Sequence, residues 1–201
     1  MGRKILVVVD YQYDFFSPDG ALYVNGGEKL QEKIANIIPN FDHVIFTQDC
    51  HPINHCSFKE NGGQWPIHCV AHTMGTGLPV EFLEKAKSCD VQPKGMIVEQ
   101  EEYGAFNSFM EFMLDLDYDN KLNFKLHNTP EIIKNTVVNN IDELVICGIA
   151  GDYCVVETLK NIVKHVGNDK VFVFLDGVVS IDDGTTLNTY MKENNIKTYK
   201  D

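Results

Sequence analysis

Lys4-Ile-Leu-Val-Val-Val-Asp10 is the stretch that decides the fold. It is an unbroken β-branched run of strand length, and the lack of polar alternation suits a strand buried on both faces. It ends in a carboxylate, and it is too short and too acid-terminated to be a secretory leader. Related runs recur outward along the chain at Val44-Ile-Phe46, Met96-Ile-Val98, Leu144-Val-Ile146 and Val171-Phe-Val-Phe-Leu175. Between them lie helical spacings of three and four: Leu30, Ile34, Ile37 and Ile38, then Val155, Leu159, Ile162 and Val166. Strand–helix alternation of this kind predicts an α/β fold, a parallel sheet with helices on both faces. Ligands of such sheets gather at the carboxyl ends of the strands.

Composition narrows the function. The 201 residues, 44% hydrophobic, suffice for one sizeable core. With 29 acidic against 17 basic residues the formal charge is −12, which disfavours a nucleic-acid partner and offers no basic patch to a membrane. No apolar run approaches the length of a membrane span. The six cysteines lack the dense spacing of a small secreted disulfide scaffold, so we expect free thiols and a reducing cytoplasm. One stretch, residues 114–128, has no clear period and reads as an irregular excursion or short hairpin. Asn128-Thr-Pro130 after it reads as a helix start.

Several polar residues fall where the strand-end rule puts ligands. Asp10 closes the first run, where burial can raise a carboxyl toward the range of a general base; a turn acid is the plainer reading. Cys154 follows Cys147-Gly-Ile-Ala-Gly-Asp-Tyr153, a small-residue turn leading into a helix. A thiol at a helix N-terminus feels the positive end of the dipole, which would lower its pKa, although cysteine is also an ordinary core residue. Asp49 and His51, two apart in extended chain, point to one side, and His55 and His68 follow in a polar loop. One carboxylate with two or three imidazoles suits Zn²⁺ or another first-row divalent ion. Lys94, just before the Met96-Ile-Val98 run, reads in isolation as a surface charge.

Taken together, Asp10-Tyr-Gln-Tyr-Asp-Phe15, Asp49-Cys-His51, Trp65-Pro-Ile-His-Cys69, Lys94-Gly95, Tyr103-Gly-Ala-Phe106 and Gly148-Ile-Ala-Gly-Asp-Tyr-Cys154 resemble the isochorismatase-like cysteine hydrolases, in particular the nicotinamidase/pyrazinamidase branch. The resemblance implies one domain over residues 1–201 with a three-layer αβα, Rossmann-like fold and a mainly parallel six-stranded sheet. It implies a catalytic triad of Asp10, Lys94 and Cys154, which reverses the surface reading of Lys94. It further implies a cis peptide at Ile149–Ala150 beside the oxyanion site, ring-binding aromatics Phe15, Trp65 and Tyr103, and metal ligands Asp49, His51 and His68. His55 is an additional candidate ligand. The implied cofactor is one divalent ion, zinc before manganese or iron. The implied reaction is hydrolysis of a small amide, nicotinamide first, through a thioester. A carbamoyl or ureido substrate, or a catalytically silent metal-binding protein, are the alternatives, and a homo-oligomer is left open. The chain departs from the family pattern at Gly151, where Thr is common, and at Tyr13, where Asn is frequent.

Overall fold

The computed structural model describes residues 2–108 and 139–200. The irregular stretch at 114–128 and the helix start at Asn128 lie outside them. Six strands form one sheet: β1 (Arg3–Val9), β2 (His43–Asp49), β3 (Cys89–Lys94), β4 (Ile141–Ile149), β5 (Val171–Val179) and β6 (Lys197–Thr198). Their order is β3-β2-β1-β4-β5-β6, and every adjacent pair is parallel. The mainly parallel sheet expected from the sequence is thus wholly parallel. The described helices are α1 (Tyr13–Phe16), α2 (Gln31–Ile37), α3 (Val80–Lys85), α4 (Val156–Val166) and α5 (Thr185–Glu193).

The two-sided core follows from the period-two geometry of strands. Ile5, Val7 and Val9 of β1 pack with Leu144 and Ile146 of β4 beneath Leu159 and Ile162 of α4 and Leu187 of α5. Leu6 and Val8 face the other way, with Phe46, Val145 and Cys147, beneath Ile34 and Ile37 of α2 and Phe82 of α3. All of Ile5 through Val9 are fully buried, each contributing about 1.5–3 kcal/mol of transfer free energy. That double burial is why β1 carries no polar alternation.

The third strand differs from the sequence reading. It is Cys89–Lys94, not Met96–Val98, and Met96 and Ile97 are each 56% exposed in the loop that follows. The reason is position. Among the described residues β3 is an edge strand paired only with β2, so it needs no apolar run and tolerates Pro93. Lys94 therefore closes a strand instead of preceding one, and joins the other candidate groups at the carboxyl edge. The chain leaves β1 toward β2 on one side, while β4 leads to β5 on the other. The β1/β4 boundary is thus the switch point where a doubly wound sheet opens a crevice.

At that boundary Val9 and Gly148 are register partners. Gly148 has φ +122°, and a Cβ there would lie 2.0 Å from the Val9 carbonyl oxygen. Gly148→Ala should therefore destabilise the fold by about 3 kcal/mol or more. Urea unfolding checks this: the midpoint should fall while the slope is unchanged.

Candidate active site

Four strand ends meet at the crevice. Asp10 follows β1, Asp49 ends β2, Lys94 ends β3, and Cys154 lies in the turn after β4. Asp49 and Lys94 are register partners in adjacent parallel strands, so strand pairing itself sets their ion pair. The Lys94 ammonium lies 2.9 Å from Asp10 Oδ2 and 2.5 Å from Asp49 Oδ1, and it points a hydrogen bond at Cys154 Sγ over 3.7 Å. All four side chains are buried, Asp10 completely.

Asp10 is held by Thr47, a residue the sequence reading passed over. The Thr47 hydroxyl donates to Asp10 Oδ1 at 2.6 Å, and its oxygen accepts the Asp10 N–H at 3.1 Å. Asp10 Oδ2 receives no aligned hydrogen bond, although the ammonium stands beside it; that oxygen is the one available to take a proton. A ligand atom from each of Asp10, Asp49 and Cys154 lies within 4.8 Å of the other two.

The electrostatics divide the two carboxylates. Burial raises the Asp10 pKa, Lys94 opposes this and the Asp49 charge adds to it. Burial also works to raise Asp49, but Lys94 and His51 outweigh it and hold that carboxyl well below its usual range. Lys94 is itself driven well above its ordinary value, because the two acids outweigh its own desolvation. For Cys154, burial dominates and pushes the thiol well above its ordinary value, with Lys94 lowering it and both acids raising it. The helix-dipole expectation is thereby corrected. Cys154 sits in a wide π-type turn, Gly151–Val155, ahead of α4, and desolvation beside two carboxylates exceeds what a helix terminus supplies. Burial thus biases the thiol toward its protonated form. The peptide bond between Ile149 and Ala150, which leads into this turn, is cis.

Beside this cluster, Asp49, His51 and His68 bring their ligand atoms within 4.8 Å of one another. His51 Nδ1 lies 2.8 Å from the Gly95 carbonyl and His68 Nδ1 lies 2.8 Å from the Pro66 carbonyl. A carbonyl only accepts, so each Nδ1 carries the proton and each Nε2 is left as the ligand atom, the usual backing of a metal-bound histidine. Burial lowers the His68 pKa, favouring the neutral ring a cation needs. For His51 burial is outweighed by the Asp49 carboxylate, 3.6 Å away. These donors fit a divalent ion. His55 does not join them: its Nδ1 meets the Ser57 hydroxyl at 2.8 Å and its Nε2 the Gln100 carbonyl at 3.0 Å. With both nitrogens engaged, it stacks behind His51 at 4.2 Å between ring centroids.

Two further residues hold this arrangement. Gln12 makes a pair of hydrogen bonds with the Asp49 backbone: its Oε1 accepts the Asp49 N–H at 2.7 Å, and its Nε2 donates to the Asp49 carbonyl at 2.8 Å. Asp14 Oδ2 accepts the Cys69 N–H at 2.7 Å and so tethers the loop carrying His68. Both lie in the Asp10–Phe15 motif, but nothing in sequence spacing reveals what they reach.

A narrow cleft leads down to Cys154. Phe15, Trp65 and Tyr103 all line it, as do Asp49, His51 and His68. The Trp65 indole N–H donates to the Tyr103 hydroxyl at 3.1 Å. Tyr153, not anticipated from sequence, stands edge-on to Trp65 at 5.2 Å and tilted against Tyr103 at 5.3 Å. Ala150, Leu22, Val24 and Ile181 complete the apolar walls. Flat aromatic faces over a buried thiol, with a cation-ready cluster at one side, give the cleft a shape and chemistry suited to a small planar molecule.

The isochorismatase domain model matches residues 4–190. The chain belongs to that hydrolase family. Its place within the family is the nicotinamidase/pyrazinamidase branch, amidohydrolases that cut a non-peptide C–N bond. It is 29% identical to the nicotinamidase of Saccharomyces cerevisiae over 220 aligned positions, covering 94% of each chain. Among solved structures, the pyrazinamidase of Pyrococcus horikoshii in complex with zinc superposes with a TM-score of 0.73 at 31% identity, covering 98% of this chain and 99% of that one. PnC1 of L. infantum in complex with nicotinate gives 0.75 at 28% identity, covering 98% and 92%.

The charge arrangement is open to test through stability. Lys94→Met should destabilise the fold by about 3–5 kcal/mol, because two buried carboxylates lose their cation. Asp10 is already raised with Lys94 present, and without it the Asp10 value would rise further above the unfolded one, so this carboxyl's contribution to the variant's stability is greatest at low pH and is lost as pH rises through its folded value. The gap in Tm between wild type and variant, measured with chelator present, should be wider at about pH 7.5 than at about pH 5.

Proposed function

We propose that the protein deamidates nicotinamide to nicotinate and ammonia through a thioester on Cys154. The observation that carries this reading is the convergence of Asp10 and Lys94 on Cys154, which lines an aromatic cleft together with the donor set Asp49, His51 and His68. In the proposed sequence, Asp10 Oδ2 takes the thiol proton as Cys154 attacks the amide carbon, which suits an acid raised by burial. Lys94 offsets the negative charge that builds on sulfur as the proton leaves and before the bond to carbon is complete. Backbone N–H groups of Ala150 and Cys154 are assigned to the carbonyl oxygen as it gains charge. Asp10 returns its proton to the departing ammonia, then draws a proton from the water that attacks the thioester and passes it to the Cys154 sulfur as the carbon–sulfur bond breaks. The aromatic walls from Phe15, Trp65 and Tyr103 hold the ring so that its amide reaches Cys154.

Asp49, His51 and His68 are proposed to hold one divalent ion, zinc by preference, as the zinc-bound P. horikoshii relative supports. When bound, it would supply a positive anchor for the ring nitrogen, directly or through a water. None of the six cysteines is in a disulfide, in keeping with a cytoplasmic enzyme. No helix among the described residues is long and apolar enough to cross a membrane.

Ammonia release from nicotinamide tests the reading. The wild type should turn over, and Cys154→Ala should lose at least about a thousandfold in kcat while its metal content is unchanged. Turnover retained in that variant sinks the covalent route. Release from a carbamoyl compound but not from nicotinamide moves the protein to the other substrate class.

A second expectation concerns Gln12. Gln12→Ala removes both bonds to the Asp49 backbone, so zinc affinity, read by competition with a chromophoric chelator, should fall roughly 10–100-fold.

A further inference from the structure

The rim of the cleft includes a loop that lies outside every motif quoted from the sequence. Ile181 follows β5, lines the cleft, and is 54% exposed. An isoleucine so exposed adds little to the core, yet the chain holds it in place from several directions. Its N–H donates to Asp152 Oδ1 at 2.9 Å. Next to it, Asp182 accepts the N–H of Gly184 at 3.0 Å and that of Thr186 at 2.8 Å, locking the turn into α5. Ser180 is seated against Gly151 so closely that a Cβ at 151 would lie 2.1 Å from Ser180 Oγ and 3.0 Å from Val178 Cγ1. Gly151 and Asp152 belong to the same turn as Cys154. The rim is therefore clamped to the nucleophile's own turn, by a hydrogen bond at 152 and by close fit at 151. The departure at Gly151 acquires a physical role: the missing side chain is the space that Ser180 enters.

We propose that Ile181 is a specificity-determining wall that limits the site to a single six-membered ring, and that Asp152 is the positioning residue that holds this wall at a set distance from Cys154. The identity of the ring substrate rests on the function proposed above; the wall itself does not. A fused bicyclic carboxamide would meet Ile181, whereas nicotinamide would pack against it and lose water from one more face.

The experiment compares full-length wild type with Ile181→Ala, Asp152→Ala and Asp152→Asn. The first readout is the ratio of alkylation rates at Cys154 for N-phenylmaleimide and for iodoacetamide, followed by peptide mass spectrometry. Taking a ratio cancels changes in thiol reactivity. Ile181→Ala should raise it roughly fivefold, and raise the nicotinamide KM roughly three- to tenfold with a smaller change in kcat. Asp152→Ala should move both in the same direction. Asp152→Asn should restore the wild-type ratio, since its amide oxygen still accepts the Ile181 N–H. An unchanged ratio in Ile181→Ala overturns the wall. An Asp152→Asn variant that behaves like Asp152→Ala overturns the clamp, because charge alone would then be what residue 152 supplies. If the wild type leaves nicotinamide intact while the ratio shifts as stated, the function proposed above fails and the wall stands.

Discussion

Everything at the carboxyl edge of the sheet depends on one buried ammonium. Lys94 joins Asp10 and Asp49, which come from two other strand ends, and all three are removed from water. Desolvating them is unfavourable by several kcal/mol per ion, so the arrangement exists only because the charges satisfy one another. The balance is incomplete: two carboxylates face one lysine. The surplus is not spread evenly, since Asp49 is driven toward ionisation while Asp10 is raised. One acid is thus suited to holding a cation, the other to exchanging a proton. These are the roles proposed for them here.

The sheet supplies the precision. Because Asp49 and Lys94 are register partners, a one-residue slip of β3 would turn Lys94 to the opposite face and leave both acids without a counter-ion. Thr47 and Gln12 extend that rigidity, one fixing the Asp10 carboxylate and the other the Asp49 backbone. Gln12 belongs to the loop that begins at Asp10, so a single loop sets the geometry of both acids. Asp14 in the same loop tethers the segment carrying His68. The density of polar residues in Asp10–Phe15 reflects mechanical work as much as chemistry.

Legibility in the sequence varied with how local each cause was. Asp10, Asp49 and Cys154 could be found because each ends or follows an apolar run, and strand ends in a parallel sheet converge. Lys94 could not be found that way. Its edge strand, Cys89-Asp-Val-Gln-Pro-Lys94, lacks apolar character, and the more hydrophobic Met96–Val98 beside it drew the strand assignment away. Only the resemblance to known hydrolases restored its importance. His55 looked equivalent to His68 from spacing, but which ring nitrogens are left free depends on Ser57 and Gln100, the latter 45 residues away. The thiol's protonation was misread for a similar reason. A helix terminus can be seen in sequence, whereas the desolvation and the two carboxylates that outweigh it cannot.

By itself, then, the sequence determined the layered α/β architecture, the edge of the sheet where the polar groups gather, and the family, because apolar periodicity and short motifs are properties of the local chain. The tertiary structure alone decided which carboxylate is raised and which is lowered, which histidines present a free nitrogen, and that Tyr153 and Ile181 join the walls of the cleft. Those outcomes depend on distances between segments far apart in the chain and on the water excluded from between them. Coulombic and desolvation energies change over a few ångströms, and one-dimensional spacing carries no record of such distances.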